Sequence, residues 1–237
     1  MMGDGQQKIK RYNLVADNSP IAHKPKGVSK TGSIKEKLDG MKSLSPSAIN
    51  RYIKCPLMFF YQYVASIKEP DCEDDVVDNR MFGNIFHKSA QLIYDDIMSH
   101  NNGRIEKASI QKYLNTKGLL ESIVDRAFNE ELFKVKNSMR SPYYNGLHLI
   151  NRKVLIEYLR QLLHSDQRTA PFEMLALEDA VYTQIAFETE DNNVRKIRIG
   201  GIIDRLDRVT DARTGVSTIR VVDYKTGIQA TRKIKEI

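Results

Sequence analysis

Residues 217–227 read STIRVVDYKTG, a β-branched run that closes on Asp223, Tyr224 and Lys225. Side chains alternate across a strand, so Asp223 and Lys225 leave from one face a few ångströms apart. Upstream, IGGIIDRLD at 199–207 carries a second strand carboxylate, Asp204. A carboxylate and an ammonium at one strand end, with a carboxylate on a neighbouring strand, suit holding a divalent cation with a charged amine beside an attacking water. Asp-x-Lys alone is commonly a solvated strand face or a surface ion pair; its context makes this one informative. That context points to phosphodiester hydrolysis.

Working outward, residues 171–227 have strand character throughout: FEMLALE, AVYTQIAFE, VRKIRIGGIIDRLDRV and STIRVVDYK, separated by Asp, Asn and Gly turns. Alternating β-branched runs with such turns predict an antiparallel meander. Gly200-Gly201 predicts a sharp twist that brings Asp204 toward the Asp223 strand end. Asp207 lies an odd number of residues from Asp204, so it faces the other side, and an ion pair with a nearby arginine is its expected role. Glu178, ending the first run, is a weaker candidate that reaches the site only through an indirect contact.

Before the strands the period changes to that of helices. NRMFGNIFHKSAQLIYDDIM places Phe82, Ile85, Phe86, Ile93 and Ile97 on one broad stripe, with His87 beside it one turn after Gly83. A lone histidine there is usually structural, but a glycine on the same face allows close approach of a backbone or ligand. IEKASIQKYL, GLLESIVDRAFNEELF and LHLINRKVLIEYLRQLLH read as further helices, a layer or small lobe beside the sheet. His148 and His164 fall on them without partnering ligand motifs and read as surface or packing residues. In LSPSAINRYIKCPLMFFYQYV, Ser45-Pro46 opens a helix and Pro56 restarts it, with Phe59, Phe60, Tyr61 and Tyr63 as packing aromatics. Helices followed by strands give an α+β architecture.

The ordered set G-x-x-x-H at Gly83–His87, G-x-x-D followed by Arg at Gly201–Arg205, and D-Y-K-T-G at Asp223–Gly227 resembles the RecB-like branch of the PD-(D/E)xK nucleases. LSPSAINRYIKCPLMFFYQY is similar to that family's helical entry segment. The resemblance runs from Leu44 to Gly227. It implies a restriction-endonuclease-like mixed sheet flanked by helices, with an inserted helical lobe. It also implies that His87, Asp204, Asp223 and the carbonyl of Tyr224 ligate Mg²⁺ or Mn²⁺, while Lys225 orients or deprotonates water. The implied activity is that of a metal-dependent deoxyribonuclease, exonucleolytic, acting in DNA repair or recombination, with DNA and a helicase domain or subunit as partners. Two readings stay open beside it: a non-catalytic DNA-binding scaffold module of a helicase–nuclease complex, and a site-specific endonuclease of the same superfamily.

Two departures from the family pattern set further expectations. Members usually continue after D-Y-K-T-G into a helix with Gln-x-x-x-Tyr, whereas this chain runs through the basic TRKIKEI to Ile237 and reads as truncated at its carboxyl end. Some relatives hold an iron–sulfur cluster; Cys55 fits the first ligand place but the other three have no counterpart, so no cluster is expected within this chain.

Composition bounds the rest. Only two cysteines are present, Cys55 and Cys72, without zinc spacing or expected pairing. The net charge of +7 suits an anionic partner, but residues 1–45 hold nine Lys or Arg against four Asp or Glu, so the globular part is nearly balanced. Residues 1–43 read as a flexible basic linker or arm and 44–237 as the nuclease domain, its helical part at 44–165 and its sheet with the active site at 171–227. Lys88, Arg205 and the Arg232/Lys233/Lys235 cluster are candidate phosphate contacts. With 41% hydrophobic residues, no membrane-length apolar run and no apolar signal core at the amino terminus, the expectation is a soluble cytoplasmic protein without a membrane partner.

Overall fold

A computed structural model describes residues 27–67, 77–136, 141–189 and 192–227. Cys72 and the Arg232/Lys233/Lys235 cluster lie outside them. The architecture is α+β, a five-stranded mixed sheet with seven helices among the described residues. No helix among those residues is long and apolar enough to cross a membrane.

The chain enters through helix α1 (Gly32–Asp39), strand β1 (Ser43–Leu44), α2 (Pro46–Lys54) and α3 (Pro56–Phe59), which runs into a π-helical turn at Phe60–Val64. Ser45 caps α2 by accepting from Ala48 N–H at 3.1 Å, Cys55 is extended, and Pro56 opens the next helix. The expected unstructured arm through residue 43 therefore differs in its described part. Ile34, Leu38 and Met41 pack on Ala48, Phe59 and Val64, enough apolar contact to fold a short, otherwise charged helix.

Helix α4 (Asn79–Asn101) is capped by Asp78, which accepts from Met81 N–H at 2.7 Å. It ends at Asn102 and Gly103, both at positive φ (47° and 80°). Strand β2 (Arg104–Ile105), α5 (Lys107–Asn115), α6 (Leu119–Glu131) and α7 (Gly146–Thr169) follow. Ile85, Phe86, Ala90, Ile93, Tyr94 and Ile97 of α4 are buried against Val124, Phe128, Leu155 and Leu159, and the same cluster takes in Ile105, Phe172, Met174 and Tyr224. Helices α4 to α7 and the sheet thus share one core, and the entry helices pack in a second, smaller cluster. His148 is buried in it beside Phe128, Phe133 and Tyr144.

The two expected runs before residue 190 form one strand, β3 (Phe172–Glu188), with a register irregularity between Met174 and Ala176 and a left-handed Glu178 at φ 47°. Its antiparallel partner β4 (Val194–Thr210) pairs along nearly its whole length. The opposite edge of β4 is divided: β1 pairs parallel at 198–199 and β5 (Ser217–Val222) antiparallel at 205–210. Among the described residues, 200–204 are left between them without a strand partner on that edge. Gly200 is obligatory, because a Cβ there would sit 1.9 Å from the carbonyl oxygen of Val181.

Arg205, proposed from sequence as a phosphate contact, is instead only 1% exposed. Its guanidinium donates to Asp207 at 2.7 Å and to both oxygens of Asp166 on α7 at 2.6 and 2.9 Å. It lies over the rings of Tyr94 and Phe172, and Tyr94 Oη also donates to Asp166. Asp207 takes Arg220 of β5 as well, at 2.6 and 2.9 Å, which is the arginine pairing expected of it. Burial opposes the charge on Arg205, and the Asp166 carboxylate outweighs it, leaving the guanidinium pKa raised.

Removing one member of such a buried set strands the others without compensation. Arg205→Ala is expected to lower the unfolding free energy by roughly 3–5 kcal/mol, read from the shift of the urea midpoint at constant slope. A loss below about 1 kcal/mol would mean that Asp166 and Asp207 find water or other donors.

Candidate active site

Strand register explains how the polar groups meet. Leu177 pairs with Arg205 and Asp179 with Ile203, which sets Glu178 across from Asp204. On the other edge Val222 pairs with Arg205, so continuing that register sets Asp223 opposite Asp204. The chain leaves the sheet after Val222, and the backbone N–H of Tyr224 donates to Oδ2 of Asp204 at 2.6 Å. Tyr224 itself turns inward, its ring edge-on to Phe86.

His87 projects from α4 into this arrangement. Its Nδ1 lies 3.0 Å from Oε1 of Glu178 and 3.6 Å from Oδ1 of Asp204, and its Nε2 lies 3.2 Å from the carbonyl oxygen of Tyr224. With acceptors at both nitrogens the ring is suited to carry both protons. The Glu178 hydrogen bond raises the His87 pKa, against burial and with help from Asp204. Asp204 is also raised, chiefly by burial and further by the charges of Glu178 and Asp223, while the Tyr224 N–H and His87 oppose the shift. Gly83, one turn before His87, faces the hydroxyl of Thr226, which would be 3.5 Å from a Cβ placed there.

The structure brings together His87, Asp204 and the Tyr224 carbonyl from the sequence-derived set. It adds Glu178, which touches His87 directly. The clue in sequence is an acidic pair interrupting the apolar run LALEDAV, but only the register reveals its partner. Asp223 and Lys225 stand at the rim, 58% and 62% exposed, with Nζ of Lys225 donating to Oδ1 of Asp223 at 2.7 Å. Lys88 pairs with Glu130 at 3.2 Å and lines a cleft of about 430 Å³ with Arg80, Asn84, His87 and Glu178. A larger cavity of about 670 Å³ lies in the helical layer, away from these groups, and its Asp125 and Arg152 already satisfy each other.

The donor set fits a divalent cation. One ligand atom each from His87, Glu178 and Asp204 lies within 4.8 Å of the others. Ligands about 2.1 Å from one octahedral ion stand at most about 4.2 Å apart, so little closure is required. Carboxylate and carbonyl oxygens with one imidazole suit Mg²⁺ or Mn²⁺.

The family model of the PD-(D/E)XK nuclease superfamily matches residues 43–237. Curated relatives include an ATP-dependent helicase/deoxyribonuclease subunit from Clostridium perfringens strain SM101, 25% identical over 194 residues, covering 78% of this chain and 15% of the relative. The protein of the same name from Clostridium tetani is 25% identical over 202 residues, covering 81% of this chain and 16% of the relative. That from Streptococcus uberis is 26% identical over 183 residues, covering 77% and 14%. The chain thus spans about one-sixth of the length of the relatives it matches.

The electrostatics can be checked without any metal. In Glu178→Gln the carboxylate that raises His87 is gone and burial remains, so the imidazole should titrate at lower pH than in the parent, followed by its ring proton resonances in NMR. An unchanged titration would show that Glu178 does not hold the His87 proton.

Proposed function

The chain belongs to the PD-(D/E)XK nuclease superfamily, and from that premise we propose that it is a metal-dependent deoxyribonuclease. In this reading it hydrolyses DNA exonucleolytically in the cytoplasm during repair or recombination, and works with a helicase domain or subunit. The observation that carries the reading is the meeting of His87, Glu178, Asp204 and the Tyr224 carbonyl at the point where the edge of β4 is unpaired, with Asp223 and Lys225 beside it. The names of the relatives, which join helicase to deoxyribonuclease, support the choice of substrate and partner.

His87, Asp204, Asp223 and the Tyr224 carbonyl would hold Mg²⁺ or Mn²⁺, with Glu178 either joining them or fixing His87. Such an ion supplies Lewis-acid neutralisation of phosphate charge and lowers the pKa of nearby water. The chain's own groups do the rest. Continuing the β5 register sets Asp223 opposite Asp204, and its carboxylate accepts from Lys225 at 2.7 Å. The Lys225 ammonium aligns the attacking water for in-line displacement; the water oxygen bonds to phosphorus as the P–O3′ bond breaks, and the water's proton ends on the departing oxygen, leaving 5′-phosphate and 3′-hydroxyl ends. A ligating imidazole must be neutral, so His87 would hold the ion only in its unprotonated form.

Asp204→Asn keeps an oxygen for the Tyr224 N–H while removing the charge. It should abolish Mn²⁺ binding measured by calorimetry, and with it cleavage of linear DNA. Lys225→Ala should bind Mn²⁺ like the parent yet turn over about 10²-fold or more slowly. Full activity in the lysine variant would remove Lys225 from the chemistry.

Exonucleolytic action predicts that linear duplex or single-stranded DNA is consumed while covalently closed circles survive. Equal loss of circles and linear molecules on a gel would favour an endonuclease.

A further inference from the structure

The face of the β3–β4 ribbon that carries Glu178 and Asp204 is open to solvent beyond them. Going outward along it, Ile202 pairs with Ala180, Gly200 with Tyr182, Arg198 with Gln184 and Lys196 with Ala186. Ile202 is 69% and Tyr182 45% exposed, and no helix among the described residues covers this row. The ring of Tyr182 occupies the space that a side chain at 200 would take: a Cβ there would lie 2.8 Å from Cδ1 of Tyr182 and 2.7 Å from its Cα. The glycine lets the ring settle on the sheet. Arg198, diagonal to Tyr182 across the strands, holds its guanidinium 5.3 Å from the ring centroid. Among the described residues no carboxylate forms an ion pair with Arg198 or Lys196.

A half-exposed aromatic ring with a guanidinium over it and a second cation along the same row, on the face that leads to a candidate phosphodiester site, has the chemistry of a stacking platform for single-stranded nucleic acid. We propose that Tyr182 and Arg198 seat one base and its phosphate of a single DNA strand, with Lys196 extending the track and Ile202 leading toward Asp204. This rests on the nuclease reading and deepens it by naming the substrate form and its path. Six residues separate Arg198 from Asp204, roughly 20 Å of strand, so the strand would be gripped well ahead of the bond being cut. Gripping at a distance positions the scissile phosphate without adding charge to the metal site.

The test uses the full chain and a fluorescently labelled single-stranded oligo-dT in EDTA, followed by anisotropy. Tyr182→Ala should weaken binding about tenfold, the effect of losing one stacked base. Tyr182→Phe keeps the π face and should stay within about twofold of the parent, a rescue that general unfolding could not give. Arg198→Gln should weaken binding and flatten the dependence of log affinity on log salt by about 0.7. Affinity unchanged in both Tyr182→Ala and Arg198→Gln, equal weakening in the Phe and Ala variants, or no oligonucleotide binding by the parent would each overturn the platform. If this face takes a protein partner instead, oligonucleotide binding will be indifferent to both substitutions. The two readings separate in a parallel Mn²⁺-dependent cleavage assay. Cleavage by the parent with binding that ignores Tyr182 sinks the platform alone, whereas platform-dependent binding without cleavage sinks the nuclease reading alone.

Discussion

The position of everything else follows from one buried guanidinium. Arg205 ties β4 to α7 through Asp166 and to β5 through Asp207 and Arg220, while Tyr94 of α4 and Phe172 of β3 enclose it from the sides. A charge this deep is tolerated only because every donor has an acceptor, and that demand fixes the mutual placement of five elements more tightly than apolar packing would. Alternation along a strand then does the rest: with Arg205 held inward, Asp204 must face the other way. The site is thus the outward side of an inward constraint.

The groups at that outward side are mutually unfavourable. Asp204 feels the charges of Glu178 and Asp223, and a protonated His87 offers partial relief. Carboxylates gathered in this way are costly, and a bound cation, as in the proposed function, would offset that cost. A doubly protonated His87 would satisfy both Glu178 and the Tyr224 carbonyl, the place that the proposed function gives to a cation. Stability in the shared core offsets the cost at the rim.

Much of this is legible in the sequence because it is local. The β-branched runs, the alternation that separates Asp204 from Asp207, the Ser45-Pro46 cap and the stripe around His87 each depend on residues within one element. Glu178 is undervalued by sequence because its partner is set by register, and the register is shifted by an irregularity at Met174/Ala176 that no pattern announces. Helix α1 offers only Ile34 and Leu38 among charged neighbours, so its order comes from tertiary contact, and β1 and β2 are two residues each, too short to show a period. Arg205 reads as a surface cation because composition cannot reveal that Asp166, thirty-nine residues earlier, waits beneath it. The resemblance implies Asp223 as a ligand, and in the fold its carboxylate accepts from Lys225.

Where β5 ends and the chain departs from β4, the carboxylate of Asp204 accepts the Tyr224 amide as a strand carbonyl would have done. One side chain therefore doubles as a peg for the backbone. An alanine at 204 would release the Tyr224 amide at the same moment that it removed a charge, loosening the backbone that carries Asp223 and Lys225 while the Tyr224 ring stays in the core. Inactivity of such a variant would report a slack tether as much as a missing ligand, and the two can be told apart only with replacements that keep the peg.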